Sequence, residues 1–170
     1  MEMNILYFIQ SLHNPILDKI MVAIFNDIVG TKGEIWIILG IILLCFKKTR
    51  KTGLIVLSSY IISYYIGDGL LKNLIARPRP CTVDESVELL IARSTSYSCP
   101  SVHSMLALGS AVPIYFYHKK YGRIALIFAI LICFSRLYFF VHYPTDVLFG
   151  GLLGAGIGLI ISYVCKGIKA

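Results

Sequence analysis

Charge is scarce in this sequence, and the scarcity removes most soluble classes from consideration. Asp, Glu, Lys and Arg make up 15% of the 170 residues, 57% are hydrophobic, and the mean hydropathy is +0.77. Soluble domains carry roughly a quarter charged residues, so these values indicate a polytopic membrane protein. Met1-Glu2-Met3-Asn4 lacks a basic run ahead of the first apolar stretch, so a cleaved secretory signal is not expected. No internal repeat or low-complexity segment is present. The five cysteines show no His–Cys spacing of a zinc site, and no metal or other cofactor is expected. A soluble basic face is missing too. The net charge of +7 therefore does not indicate nucleic acid but membrane orientation or phosphate binding.

What is present is apolar chain of about one domain's length, residues 1–170 taken as a single unit. Six apolar stretches fall near residues 4–29, 34–46, 53–76, 102–117, 124–141 and 145–165. The first contains Asn14, Asp18 and Lys19, so it either crosses the bilayer or lies in the interface. The fold expected is an all-α polytopic membrane bundle of six transmembrane helices, five plus an interfacial helix being the rival. Lys47, Lys48, Arg50 and Lys51 follow the second stretch, Lys119, Lys120 and Arg123 precede the fifth, and Lys166 and Lys169 follow the sixth. With six spans all of these share one face, which the positive-inside rule makes cytoplasmic. The loop near 77–101 and the turn at 142–145 then lie on the extracytoplasmic face. That loop is long for a connection and reads as a lid or binding loop.

Polar clusters interrupt the apolar chain at three places: Lys72-x6-Arg79-Pro80, Pro100-Ser101-Val102-His103, and Ser135-Arg136-x5-His142-x3-Asp146. Charged groups at bilayer depth are expensive and mark function. This inventory suits a phosphate ester or pyrophosphate. Arg79 and Arg136 offer planar forks for phosphate oxygens and Lys72 a point charge. Asp68, four residues before Lys72, has the spacing of a helical ion pair. Pro78 and Pro80 disfavour helix at Arg77 and Arg79, so the helix is expected to stop near Ala76. Ser101 reads as the N-cap of the fourth helix, whose first-turn amides favour an anion. His103 can protonate a leaving oxygen. Pro144 suits the first position of the sixth helix, which puts Asp146 within reach of His142. A carboxylate on one imidazole nitrogen fixes the tautomer and leaves the other free to attack.

These motifs resemble the type 2 phosphatidic acid phosphatase family, which shares its site with vanadium-dependent haloperoxidases. The resemblance covers residues 72–146 with the family's internal spacing. It implies a metal-independent phosphatase working through a phosphohistidine: His142 as nucleophile, Asp146 as its orienting partner, His103 as general acid, and Lys72, Arg79, Ser101 and Arg136 on the phosphoryl oxygens. Val102 stands where the family has glycine. Its amide remains available as a donor, but its side chain narrows the pocket and would not tolerate a positive φ.

The substrate expected is a lipid phosphate at the outer face of a cytoplasmic membrane, with preference for undecaprenyl pyrophosphate. Phosphatidylglycerophosphate, phosphatidic acid and lipid A phosphates are the alternatives. From another class, a non-catalytic transporter or scaffold could keep intramembrane charges without needing both histidines and the Asp. Nothing in the sequence defines an oligomeric state. Cys45, Cys133 and Cys165 read as small apolar residues, whereas Cys81 and Cys99 bracket the long loop, where an oxidising compartment would permit a disulfide.

Overall fold

The computed structural model describes residues 1–167; Lys169, counted above among the basic residues of one face, lies outside them. The regular structure among the described residues is all helical, with no β-strand. Helices α1 (Glu2–Gln10) and α2 (Pro15–Val22) divide the first apolar stretch. Asn14 starts the second of them, its side chain accepting from the Leu17 amide at 3.0 Å, with Pro15 at the first helical position. The stretch expected as one segment over 4–29 is thus two helices, because Asn14-Pro15 forms a complete helix start in its middle. α2 continues into a π-helical segment, Ala23–Ile28.

α3 spans Ile35–Cys45 and α4 Arg50–Tyr64. α4 runs on through a second π-helical segment, Tyr65–Leu71, into α5, Lys72–Ile75. Ala76 ends this rod in the left-handed region, φ 49°, where the sequence placed the stop. The long loop contains one short helix, α6 (Pro80–Val83). α7 (Val102–Tyr117), α8 (Lys119–Tyr138) and α9 (Pro144–Val164) complete the bundle, with a 3-10 turn at Cys165–Gly167.

α7 is the central helix, packed on α4, α8 and α9. Small residues allow this: Ser104, Ala107, Gly109, Ser110 and Ala111 are all buried. α9 answers with Gly150, Gly154 and Gly158, each beneath an α7 carbonyl: those of Ser101, Met105 and Gly109. A Cβ at Gly150 or Gly158 would sit 2.5 Å from the Ser101 or Gly109 oxygen, so only glycine lets the backbones approach this closely. The contact brings the starts of α7 and α9 together, and the Ser101 amide donates to the Asp146 carbonyl at 3.0 Å.

Polarity is inverted relative to a soluble protein. Ile38, Ile41, Leu54, Ile127, Leu152 and Ile160 are each more than half exposed, while Ser59, Ser104, Ser135 and Ser162 are fully buried. An apolar exterior of this extent is matched by lipid as solvent. Three stretches, Arg50–Val83 (whose continuous rod stops at Ala76), Lys119–Tyr138 and Pro144–Gly167, hold helix long and apolar enough to cross a membrane; α3 and α7 are apolar but shorter. The basic connections gather at one end of the bundle, where the Lys51 ammonium donates to the Lys166 carbonyl at 3.2 Å and Thr52 meets His118 at 3.0 Å.

Candidate active site

At the opposite end, a cavity of about 380 Å³ is lined by Lys72, Arg79, Val102, His103, Arg136 and His142, together with Thr31, Lys32, Tyr64, Asp68 and residues of the long loop. Residues far apart in sequence are held here by identifiable local causes. Lys72 follows the π-helical segment and is 7% exposed, its ammonium bound to Asp68 Oδ1 at 2.8 Å, the pair expected from their spacing. π-Helical turns recur where a helix must re-aim side chains at a functional site.

Arg79 is fixed by the long loop that follows it. Its Nε donates to the Ser96 carbonyl at 2.7 Å, Nη2 to the Ser96 hydroxyl at 3.0 Å, and Nη1 to the Val141 carbonyl at 2.8 Å. Ser96 also accepts from Lys72 at 3.1 Å, so one hydroxyl spaces both cations. The sequence showed Ser96 only as part of a polar run. Arg93 of the same loop lines the cavity, its guanidinium donating to the Cys81 and Glu85 carbonyls. The expected loop over the site is present. Cys81 and Cys99 at its ends are both buried and unbonded.

Arg136, 3% exposed, donates from Nη2 to the Phe25 carbonyl at 2.7 Å and from Nε to the Ser135 hydroxyl at 3.0 Å. That carbonyl is available because of the first π-helical segment. The Val29 amide reaches back five residues to Ile24 at 3.0 Å and leaves Phe25 without its α-helical donor. His103 lies 3.4 Å from the Gly30 carbonyl, which orients its ring through Nε2.

His142 sits in the tight turn between α8 and α9, 3% exposed. Phe140 turns the chain with φ 58°, and Phe139 and Phe140 are buried beneath it. Nε2 of His142 faces Arg79 Nη1 at 3.2 Å. Arginine can only donate, so Nε2 is the unprotonated nitrogen and the ring proton is on Nδ1. Nδ1 lies 3.7 Å from Asp146 Oδ2, within ion-pair range but too long for a hydrogen bond. Burial holds the imidazole far below its ordinary value, to about 3, with Arg79 pushing the same way and Asp146 opposing. The ring is therefore neutral with its Nε2 lone pair in the cavity.

Asp146 is wholly buried in the first turn of α9. Oδ2 accepts from the Tyr143 amide at 2.9 Å, and Oδ1 accepts from Arg77 Nη1 at 2.7 Å. Arg77, 3.8 Å above the Tyr143 ring, reaches with Nη2 to Glu2 at 2.6 Å. Glu2 in turn accepts from the amide and hydroxyl of Thr145 at 3.0 and 2.7 Å. Sequence reasoning left Arg77 and Glu2 without a role. The only available signal was a carboxylate heading an apolar stretch.

Ser101 does not line the cavity: it is fully buried, and its hydroxyl accepts from Ser104 at 3.0 Å rather than capping α7. Without a side-chain cap, the first amides of α7 are free for a ligand. Val102 is helical, so a positive φ is not required of it. Its side chain fits because Gly67 faces it from the π-helical segment; a Cβ there would lie 3.2 Å from Val102.

A family model described as the PAP2 superfamily matches residues 52–168. The chain belongs to that superfamily. Among its relatives, an undecaprenyl-diphosphatase of Sulfolobus acidocaldarius is 35% identical over 74% of this chain. Undecaprenyl-diphosphatase BcrC of Bacillus subtilis is 32% identical over 89% of this chain and 75% of its own length. The chain spans 61% of the length of the Sulfolobus protein. A solved PAP2-type phosphatidylglycerolphosphate phosphatase of Bacillus subtilis, described as transmembrane, superposes with a TM-score of 0.77 at 27% identity, covering 98% of this chain and 85% of that one. Glu2, Phe25, Gly30 and Lys32 lie outside the matched residues 52–168, yet they reach the same cavity or its supports.

Proposed function

We propose that this chain is a membrane lipid phosphatase that hydrolyses undecaprenyl diphosphate through a phosphohistidine at His142, at the extracytoplasmic face. The observation that carries the reading is the contact between Arg79 Nη1 and His142 Nε2: a nucleophilic lone pair stands beside a cation able to hold the phosphoryl group it attacks. The PAP2 relatives named above supply the substrate class.

Phosphoryl transfer needs positioning and charge stabilisation more than covalent chemistry from the protein. Lys72, Arg79, Arg136 and the first amides of α7 bind the phosphoryl oxygens. Ser101, turned from the cavity, supports these amides by fixing the start of α7 against Asp146. His142 Nε2 attacks phosphorus, the bond to the bridging oxygen breaks, and its electron pair stays on the lipid phosphate, which takes a proton from His103. The phosphorylated imidazole is cationic, and Asp146 stabilises it through Nδ1–H. Water then attacks phosphorus and gives its proton to His103; the N–P bond breaks, returning Nε2 and releasing inorganic phosphate. The assembled cations remove the need for a divalent ion.

The test is phosphate release from a panel of undecaprenyl diphosphate, phosphatidylglycerophosphate, phosphatidic acid and lipid A in detergent with excess EDTA. Fastest turnover of the diphosphate, with an acid-labile phosphoenzyme, is expected. Loss of all activity on chelation, restored by magnesium, would overturn the mechanism; preference for phosphatidylglycerophosphate would overturn the substrate. The six-span topology is tested by cysteines introduced at Ser94 and Lys120 in a cysteine-free background. An impermeant thiol reagent added to intact cells should label the first and not the second.

A further inference from the structure

The cavity holds more positive charge than one phosphoryl group uses. Besides Lys72, Arg79 and Arg136 it is lined by Lys32 and Arg93, against the single carboxylate of Asp68. Asp68 already pairs with Lys72. Lys32 has no ion-pair partner among the described residues; its ammonium lies 5.5 Å over the Tyr64 ring. The loop carrying it is tied down. The Tyr60 hydroxyl donates to the Lys32 carbonyl at 2.8 Å, and the Lys32 amide donates to Glu34 Oε2 at 2.9 Å. Arg93 is anchored by backbone carbonyls alone, so its charge is uncompensated and donors remain among its five N–H groups. Neither residue belongs to the motifs, and they come from opposite sides of the sequence, one ahead of α3 and one in the long loop.

We propose that Lys32 and Arg93 form a second anion subsite, which takes the phosphoryl group that stays on the lipid when the terminal one is transferred from a diphosphate. The inference rests on the lipid phosphatase reading and names what separates a diphosphate from a monophosphate within it. When a lipid monophosphate reacts, the departing oxygen belongs to an alcohol and no second anion is present. When a diphosphate reacts, negative charge builds on the departing phosphate. Cations fixed beside it bind the ground state and stabilise the transition state further.

The experiment uses the full chain in detergent, with Lys32→Gln, Arg93→Gln and the double variant, on farnesyl diphosphate and farnesyl monophosphate. Each lost charge-assisted contact should lower kcat/KM for the diphosphate roughly tenfold, while the monophosphate rate, which also reports folding, stays within about threefold. The selective loss should persist at about 0.5 M salt, where long-range attraction is screened. Lys32→Arg should restore most of the diphosphate rate. Equal losses on both substrates, or a selectivity that disappears in salt, would overturn the subsite and show only a general field. A larger loss on phosphatidylglycerophosphate than on farnesyl diphosphate would also overturn it, assigning the subsite to a glycerol-linked phosphate. Independently of turnover, pyrophosphate should raise the Tm more than equal inorganic phosphate, and the double variant should abolish the difference; equal shifts in the wild type count against the proposal. A wild type that hydrolyses neither the farnesyl compounds nor any lipid phosphate of the panel above would sink the phosphatase reading itself.

Discussion

Residues 72–146 and residues 2–32 meet at the same cavity by different means. The first region brings side chains: Lys72, Arg79, His103, Arg136 and His142 line the space. The second works largely through backbone and outer contacts: the Phe25 carbonyl holds Arg136, the Gly30 carbonyl orients His103, and Glu2 grips Arg77 behind Asp146. The groups proposed to react come from a region with a readable residue pattern. Their placement depends on a region whose contribution any residue with a carbonyl could make. Glu2 and Lys32 are the side chains by which that second region could set rate and selectivity.

The comparison breaks most sharply at His142. His142→Ala should lower turnover by roughly 10⁴-fold or more, as removing a nucleophile does, and abolish the phosphoenzyme without loss of the fold. Retention of near-normal phosphate release in detergent would refute the phosphohistidine step. His103→Gln should be milder and substrate-dependent. Removal of a general acid is worth roughly 10²–10⁴-fold, and the loss should be larger for farnesyl monophosphate, whose alkoxide must be protonated, than for the diphosphate. Equal losses would mean His103 does not protonate the leaving oxygen.

Arg77 and Glu2 test the outer half of the comparison. Arg77→Gln takes the donor from a buried carboxylate and should lower kcat by roughly 10²-fold, a loss of 2–3 kcal/mol, with KM little changed. Glu2→Gln should cost roughly threefold to tenfold by the same route, and almost nothing further in the Arg77→Gln background. Additive losses in that double-mutant cycle would show that Glu2 acts on the site independently of Arg77.

The remaining expected effect concerns pH and is read in stability rather than turnover. His142 titrates near 6.5 when unfolded and at about 3 in the folded site. Between these values the unfolded chain binds the extra proton, so stability falls as pH drops below about 6.5, by up to about 1.4 kcal/mol per unit from this residue. Thermal unfolding in detergent should show a lower Tm at about pH 5 than at about pH 7, and His142→Gln should flatten that slope. An unchanged slope would mean the imidazole is already protonated in the folded protein.

Much of the candidate site was legible because the chemistry proposed for it is carried by residue identity at fixed spacing. Asp68 and Lys72 are one helical turn apart, His142 and Asp146 bracket a proline helix start, and Ala76 ends the rod ahead of Pro78, all consequences of local geometry. The break at Asn14-Pro15 was legible in principle too, since an N-cap followed by proline is a helix start, but apolar composition hid it. Ser101 had the signature of a cap, yet its hydroxyl serves Ser104, because α9 presses against the start of α7 and fills its surroundings.

Composition and motif spacing by themselves determined an apolar helical chain, a phosphate-binding inventory and the pairing of Asp146 with His142, because hydropathy, helical period and titratable chemistry are properties of residues and near neighbours. Tertiary structure alone decided that Phe25 and Gly30 offer their carbonyls to Arg136 and His103, that Arg77 meets Asp146, and that Lys32 and Arg93 face one cavity. Those contacts join residues separated by up to 111 positions. Their partners are backbone groups shared by every residue or cations common on any membrane surface, so only packing through α7 and its glycine-lined neighbour gives them an address.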